Sequence, residues 1–155
     1  MEQIFAQNSE IFIKLLLAVF LGALIGLERL IVHKEAGMKT HALVSLGSAL
    51  FILISEAMIL KYGNLTGFDA TRMASQIIVG IGFLGAGSIM LKGSYISGLT
   101  TASGLWVTAG IGMAIGFGFF TLGISATILV LLIFILMSIF ERPIRKIIDE
   151  ERKED

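Results

Sequence analysis

Residues 119–140 read FFTLGISATILVLLIFILMSIF, a run of 22 residues without a charged side chain. An apolar run of about 18 or more residues is long enough to cross the roughly 30 Å hydrocarbon layer of a bilayer as a helix. The chain repeats this pattern from residue 11 onward, with its few charges at regular breaks. The stretch therefore predicts a protein that folds in lipid, where a buried charge is costly and marks a functional site.

The composition agrees with a membrane location. Hydrophobic residues make up 55% of the 155-residue chain and charged residues 15%, whereas soluble domains average about 25% charged residues. The formal net charge is zero, so no basic field favours nucleic-acid binding. The chain has no cysteine, which excludes disulfides and thiolate metal sites. The first ten residues carry two glutamates and no basic residue, so they do not read as a signal peptide.

Five apolar segments alternate with short polar breaks. Residues 99–140 as one helix would be about 63 Å long, which is twice the bilayer. We expect this segment to turn back at Gly116-Phe117-Gly118, because glycine tolerates the backbone angles of a tight turn. The predicted spans are residues 11–27, 41–60, 74–91, 99–116 and 119–140.

Basic residues predict the orientation of these spans, because those that flank spans stay mostly cytoplasmic. With five spans and an external N-terminus, only Lys61 and Arg72 would lie in outer loops. Nine residues would face the cytoplasm: Arg29, Lys34, Lys39, Lys92, Arg142, Arg145, Lys146, Arg152 and Lys153. An even number of spans would divide this set. The predicted fold is an all-α membrane protein, a bundle of about five transmembrane helices with a cytoplasmic C-terminus.

Residues 1–140 are thus predicted to form one transmembrane domain and residues 141–155 a short charged cytoplasmic tail. The tail is either an amphipathic helix on the membrane surface or the solvated end of the fifth helix, with Pro143 as a helix end or bend.

The chain contains eighteen glycines, which predict close helix packing. Small residues at every fourth position let helix backbones approach in lipid. Gly22 and Gly26 form one such pair, and the fourth span carries the stripe Gly104, Thr108, Gly112 and Gly116. We expect the fourth span to be the most buried and the fifth to face lipid. The stripes favour packing within one chain, with a homodimer as the alternative.

Polar residues in and beside the spans form two predicted layers. The outer layer holds Lys14, Glu56, Asp69, Arg72 and Gln76. The last three share one helix face by spacing, and Glu56 is placed to pair with Arg72. In a structural interpretation Asp69 caps the third helix and Lys14 extends to the interface. In a functional one Asp69 and Glu56 bind a hard cation such as Mg²⁺, which the charge of Arg72 opposes.

The inner layer lies around the first loop. The positive-inside rule explains the basic residues of this layer. It does not explain an acidic residue at the inner end of a span, so we expect Glu28 to pair with Arg29 or Lys39. The full set is Glu28, Arg29, His33, Lys34, Glu35, Lys39 and His41.

Five motifs in register identify a resemblance. They are Gly26-Leu-Glu-Arg29, Ala36-Gly-Met-Lys39-Thr-His41-Ala-Leu-Val44, Asp69-x-x-Arg72, Gly80-Ile-Gly82-Phe-Leu-Gly85-Ala-Gly87 and Gly98-Leu-Thr100-Thr-Ala102 followed by Leu105-Trp106. Together they resemble the membrane domain of the MgtC/SapB family of bacterial inner-membrane proteins over roughly residues 15–120. The fourth motif also matches the dinucleotide-binding pattern GxGxxG, but it lies inside an apolar span and lacks the acidic residue that binds ribose.

The resemblance implies a multi-pass protein of the bacterial inner membrane that takes part in adaptation to low magnesium. Members are regarded as modulators of other membrane proteins, such as the ATP synthase or cation pumps. Two positions depart from the family pattern. Lys39 stands where the family often has Arg, and Thr100 stands where the virulence-linked MgtC branch often has Asn. That branch continues into a soluble C-terminal domain, so this chain is expected to be more like the SapB side.

Two functions therefore compete, and an enzyme has little support because the sequence offers no nucleophile–base pair. One is a regulator or interaction partner of membrane transport or energy systems in magnesium or ion homeostasis. The other is a transporter or channel for Mg²⁺ or another cation that uses the outer polar layer. The expected partners are the bilayer, other membrane proteins and a second copy of the chain, and no nucleic acid. No cofactor is expected, and Mg²⁺ is the one alternative.

Overall fold

The computed structural model describes residues 2–62 and 69–151, with side chains over 8–62, 69 and 71–141. It confirms the predicted all-α membrane bundle. The order of elements is α1 (Glu2–Ile31), α2 (Met38–Tyr62), α3 (Ala70–Gly87), β1 (Met90–Lys92), β2 (Tyr95–Ser97), α4 (Leu99–Gly116) and α5 (Phe120–Glu151). In the described part of the chain, four helices are long and apolar enough to cross a membrane: Asn8–Ile31, Met38–Tyr62, Leu99–Gly116 and Phe120–Glu141.

Helix α3 differs from these four because polar residues such as Arg72 and Gln76 lower the hydropathy of its first half. Its 18 residues still rise about 27 Å. Lys92, which follows α3, lies with its Nζ 3.8 Å from Oε1 of Glu35, which precedes α2. The loop before α2 and the hairpin after α3 therefore meet at one end of the bundle, so α3 runs antiparallel to α2.

The two ends of the bundle differ in charge. We call the end that carries Lys34, Lys39 and Lys92 the basic end. At the opposite end, Lys14 of α1 lies 3.8 Å from Glu56 of α2 and borders Gly118 in the turn between α4 and α5. This arrangement matches the two predicted layers, and which end faces the cytoplasm stays a prediction from the positive-inside rule.

Helices α1, α2 and α4 form the centre of the bundle. The main buried cluster joins them to α5 through Ala18, Leu21, Ile25, Ala49, Ile111, Ile115 and Val130. A smaller cluster of Ala36, Ile81, Leu105 and Ala109 attaches α3. Helix α4 is the most buried of the four spanning helices and α5 the least, as predicted from their glycine contents.

Glycines bring the central backbones into contact. A Cβ built on Gly22 of α1 would lie 2.6 Å from the carbonyl oxygen of His41. One built on Gly112 of α4 would collide with the carbonyl oxygen of Ser45, on the same face of α2. The stripes thus serve packing within one chain, because the glycine faces of α1 and α4 both lie against the same face of α2.

Several predicted boundaries were wrong. The third span ends at Gly87, four residues early, because residues 90–97 form a β-hairpin with Gly93 at φ +62° in its two-residue turn. Helix α5 continues through Pro143 to Glu151, so Pro143 does not end it. The turn after α4 is where it was predicted, with Gly118 at φ +78°. The side chains of the tail beyond Glu141 lie outside the described residues.

Candidate functional site

A buried ion pair lies towards the basic end of α1. The Nε of Arg29 donates a hydrogen bond to Oε2 of Glu28, which confirms the predicted partner of this acid. Only 2% of Arg29 is exposed, and 9% of Glu28. The guanidinium carbon of Arg29 lies 3.6 Å from the ring centroid of Phe134 on α5. Arg29 is therefore held on one side by a carboxylate and on the other by an aromatic face, a combination suited to a desolvated cation.

His41 of α2 completes this buried cluster, which we call the Arg29 cluster (Glu28, Arg29, His41 and Phe134). The imidazole is fully buried, and its Nδ1 lies 3.1 Å from the carbonyl oxygen of Gly37. Because a carbonyl only accepts, Nδ1 carries the proton of this bond. The Nε2 atom has no hydrogen-bond partner among the described residues. A Cβ built on Gly104 would lie 3.4 Å from Nε2 and 3.2 Å from Phe134, so the glycine makes room for both rings.

Buried hydroxyls continue from His41 along the inner face of α2, at Ser45, Ser48 and Ser55. The Ser48 hydroxyl donates to the carbonyl oxygen of Val44. The Oγ of Ser45 has no partner among the described residues. These serines form a thin polar seam between the two layers, which the sequence analysis did not identify because serine is common in transmembrane helices.

At the opposite end, Lys14 is the buried charge. Its Nζ lies 3.1 Å from Glu10, one turn earlier on α1, and 3.8 Å from Glu56. Only 9% of the Lys14 side chain is exposed, against 37% for Glu56. The structure therefore gives Glu56 a different partner from the predicted Arg72, because Lys14 points into the bundle instead of extending to the interface.

The first turn of α3 holds the other outer residues. Asp69 caps the helix and accepts hydrogen bonds from the Thr71 hydroxyl at 2.7 Å and the Thr71 N–H at 2.8 Å. These two bonds, helped by the positive charge of Arg72, hold the pKa of Asp69 below its ordinary value. Arg72 and Gln76 are exposed, and no carboxylate among the described side chains forms an ion pair with Arg72. Asp69 thus has the capping role of the structural interpretation.

The proposed Mg²⁺ ligands gain no support from this geometry. The carboxylates of Asp69 and Glu56 are engaged by Thr71 and Lys14, respectively. In the part of the chain that the structure describes, no three acidic, histidine or cysteine side chains come together in a group that could hold a metal ion.

The remaining motif residues lie on α2, α3 and α4. Gly80, Gly82 and Gly87 have open space where a Cβ would be, whereas Gly85 contacts Ala102 of α4. Lys39, Thr100 and Trp106 are exposed, and Trp106 borders a groove together with Gly82 and Gly85. The glycine motif is thus used for helix crossing only at Gly85, and its other glycines face outward.

Two members of the buried sites were not predicted. Phe134 lies in a uniformly apolar helix, where no sequence signal separates it from its neighbours. Glu10 lies four residues before Lys14, a spacing that favours an ion pair on a helix and would have predicted the partner.

Fold and sites together define a multi-pass α-helical membrane protein with one buried charged cluster near each end. Residues 15–143 match the MgtC family, and the chain belongs to it. The match indicates no catalytic family.

Named relatives agree with this assignment. The chain is 44% identical to "Putative magnesium transporter YhiD" of Escherichia coli K12 over 81% of this chain and 60% of that protein. It is 48% identical to "Protein MgtC" of Salmonella typhimurium LT2 over 77% and 48%, and 40% identical to an uncharacterised protein of Haemophilus influenzae over 88% and 59%. The chain thus spans about half to three fifths of these curated relatives. No solved structure matches it significantly.

Proposed function

We propose that the chain is a regulator or interaction partner of transport or energy systems in the bacterial inner membrane and acts in magnesium homeostasis. The link to magnesium rests on the name of the Escherichia coli relative, a putative magnesium transporter. The choice of regulator rests on one observation, which is the closed interior between the two charged clusters.

Backbone contacts close this interior. Gly22 places α1 against the carbonyl of His41, and Gly112 places α4 against Ser45. One turn further, a Cβ on Gly116 would lie 2.8 Å from Cβ of Ile52. Contacts of this kind leave no room for a hydrated cation between the Arg29 cluster and Lys14.

The outer surface suits an interaction protein. Helix α3 attaches through a small cluster on one side only and leaves large apolar side chains such as Phe83 and Val79 exposed. In a membrane such a face meets lipid or another helix, and its glycines let another backbone approach.

Reconstitution tests this proposal against transport. Purified protein in liposomes, given Mg²⁺, K⁺, Na⁺ or H⁺ gradients in turn, is expected to show no saturable flux. A photo-crosslinking residue in place of Phe83, in native membranes, is expected to capture a transport or energy protein. The same residue in place of Leu132 on α5 is the control and is expected to capture none. Saturable flux that is lost in Glu28→Gln and retained in Lys34→Gln would refute the regulator role.

A transporter is the second candidate, and the polar seam of α2 favours it. The unpaired Nε2 of His41 and Oγ of Ser45 lie on this seam. If helices α1 and α4 separated from α2, these atoms would line the opening. A Gly112→Ala variant that abolished flux while keeping its fold would support this function.

A further inference from the structure

The proposed function does not use a groove that lies between α2 and α3. This groove has a volume of about 630 Å³ and runs along both helices. Its walls are almost entirely apolar and include Leu43, Gly47 and Phe51 of α2 and Ile77, Gly80 and Leu84 of α3. Ligand pockets in proteins commonly have 300–1,000 Å³, so the groove is large enough for a bound molecule.

Two glycines keep the groove open. A Cβ built on Gly47 or on Gly80 would meet nothing within 4 Å, because the side chains of the facing helix do not fill the space between them. The opposite side of α3 is attached to α4 through Ile81, Leu105 and Ala109. The opening therefore faces outward, into the hydrocarbon layer that surrounds a membrane protein.

The chemistry changes at the basic end of the groove. Lys39 and the hydroxyl-bearing Thr40 line this end. Lys39 is exposed and has no ion-pair partner among the described side chains. The nearest acid in the sequence, Glu35, has Lys92 as its partner. The positively charged side chain of Lys39, which has no counter-ion among the described side chains, thus lies at the basic end of the apolar groove.

We propose that this groove binds an anionic phospholipid, with one acyl chain between α2 and α3 and the phosphate on Lys39. The charge pattern favours this occupant over a second protein helix. An apolar helix would fill the groove but leave Lys39 without a counter-ion. An anionic phospholipid supplies both an apolar chain for the groove and a negative charge at its basic end. Basic pockets between transmembrane helices are known to bind the headgroups of anionic lipids.

Lipid titration of the purified chain in detergent tests the proposal. Fluorescent phosphatidylglycerol and phosphatidylcholine with identical acyl chains are the probes. We expect saturable binding of phosphatidylglycerol that is roughly fivefold tighter than that of phosphatidylcholine, the preference that one lysine near the headgroup supplies. Lys39→Gln is expected to remove the preference, while Lys34→Gln, which changes a lysine outside the groove, retains it. Inorganic phosphate is not expected to displace the lipid.

Groove-filling variants test the site itself. Gly80→Leu places a side chain into the groove and is expected to abolish binding of both lipids. Gly82→Leu is the matched control, since its Cβ is equally unobstructed but it does not line this groove, and it is expected to bind as the unmodified chain does. Gly47→Leu fills the groove from the opposite wall. It is expected to abolish binding of both lipids as well, and it replaces Gly80→Leu as the test if that variant does not fold. Equal affinity for the two lipids, or unchanged binding in a folded groove-filling variant, would overturn the proposal. So would efficient disulfide crosslinking between two copies that carry cysteine at position 80.

Discussion

The guanidinium carbon of Arg29 lies over the ring of Phe134, 3.6 Å from its centroid, although the two residues belong to α1 and α5, at opposite ends of the chain. This contact connects α1 to α5 close to the basic end. It also explains how a charge with only 2% exposure is retained in a membrane helix, since the aromatic face replaces part of the lost hydration.

Phe134→Leu is expected to lower the free energy of unfolding by about 2 kcal/mol, because a desolvated cation–π contact contributes on this order. Thermal unfolding in detergent, followed by circular dichroism, measures the loss. Phe140→Leu is the control, because Phe140 is 61% exposed on the same helix, and it is expected to be nearly neutral. Equal losses in the two variants would contradict the role of the ring.

Removal of the Arg29 charge is expected to be more costly than removal of the whole ion pair. Arg29→Met leaves Glu28 buried without its partner, which costs about 3–5 kcal/mol in comparable cases. The double variant Glu28→Gln/Arg29→Met leaves no uncompensated charge and is expected to recover much of this loss. A double-mutant cycle of unfolding free energies gives the coupling, and strictly additive losses would show that the two side chains do not act as a pair.

A comparison of Gly112→Ala with Gly110→Ala distinguishes two effects of added methyl groups on stability. One is the steric cost of close helix packing, and the other is the gain in helix propensity. A Cβ on Gly112 meets backbone atoms of Ser45, whereas one on Gly110 meets nothing within 4 Å. We expect Gly112→Ala to destabilise the protein by about 3 kcal/mol, the upper part of the usual range for overpacking, and Gly110→Ala to be neutral or slightly stabilising. Yield of monodisperse protein and unfolding temperature are the measurements. Similar behaviour of both variants would mean that α2 and α4 are not in backbone contact.

Asp69 is expected to stabilise the first turn of α3 through Thr71 and not through Arg72. Because its bonds to Thr71 lower the pKa of Asp69, its contribution is present above the unfolded pKa and is lost as the pH falls through the folded value. The protection of this turn against hydrogen exchange, measured relative to the intrinsic exchange rate at the same pH, should therefore fall below about pH 4. Asp69→Ala and Thr71→Val should exchange faster already at neutral pH, while Arg72→Ala should not. Rapid exchange in Arg72→Ala alone would restore the ion-pair interpretation.

The bundle could be predicted well from the sequence. The thickness of the bilayer fixes the length of a span, and helices in lipid pack closely through regularly spaced small residues. Residues 99–116 were predicted to the residue, since Gly98 and Gly116 bracket them. The hairpin was missed because residues 89–91 are apolar and read as more span, although the Lys92-Gly93-Ser94 sequence carried a turn signal.

The sites were predicted less completely, because they depend on contacts between distant segments. Glu28 and Arg29 are adjacent, so their pairing followed from local reasoning. The ring of Phe134 and the burial of Lys14 arise only when α5 and α2 are in place, and no local pattern records them.

Gly98 has one more mechanical consequence. It begins α4 at φ +93°, and its Cα lies so close to Ser88, just after α3, that any larger residue would collide with the Ser88 carbonyl oxygen. The residue before α4 is therefore packed directly against the residue after α3, and Gly98→Ala is expected to force these two helix ends apart.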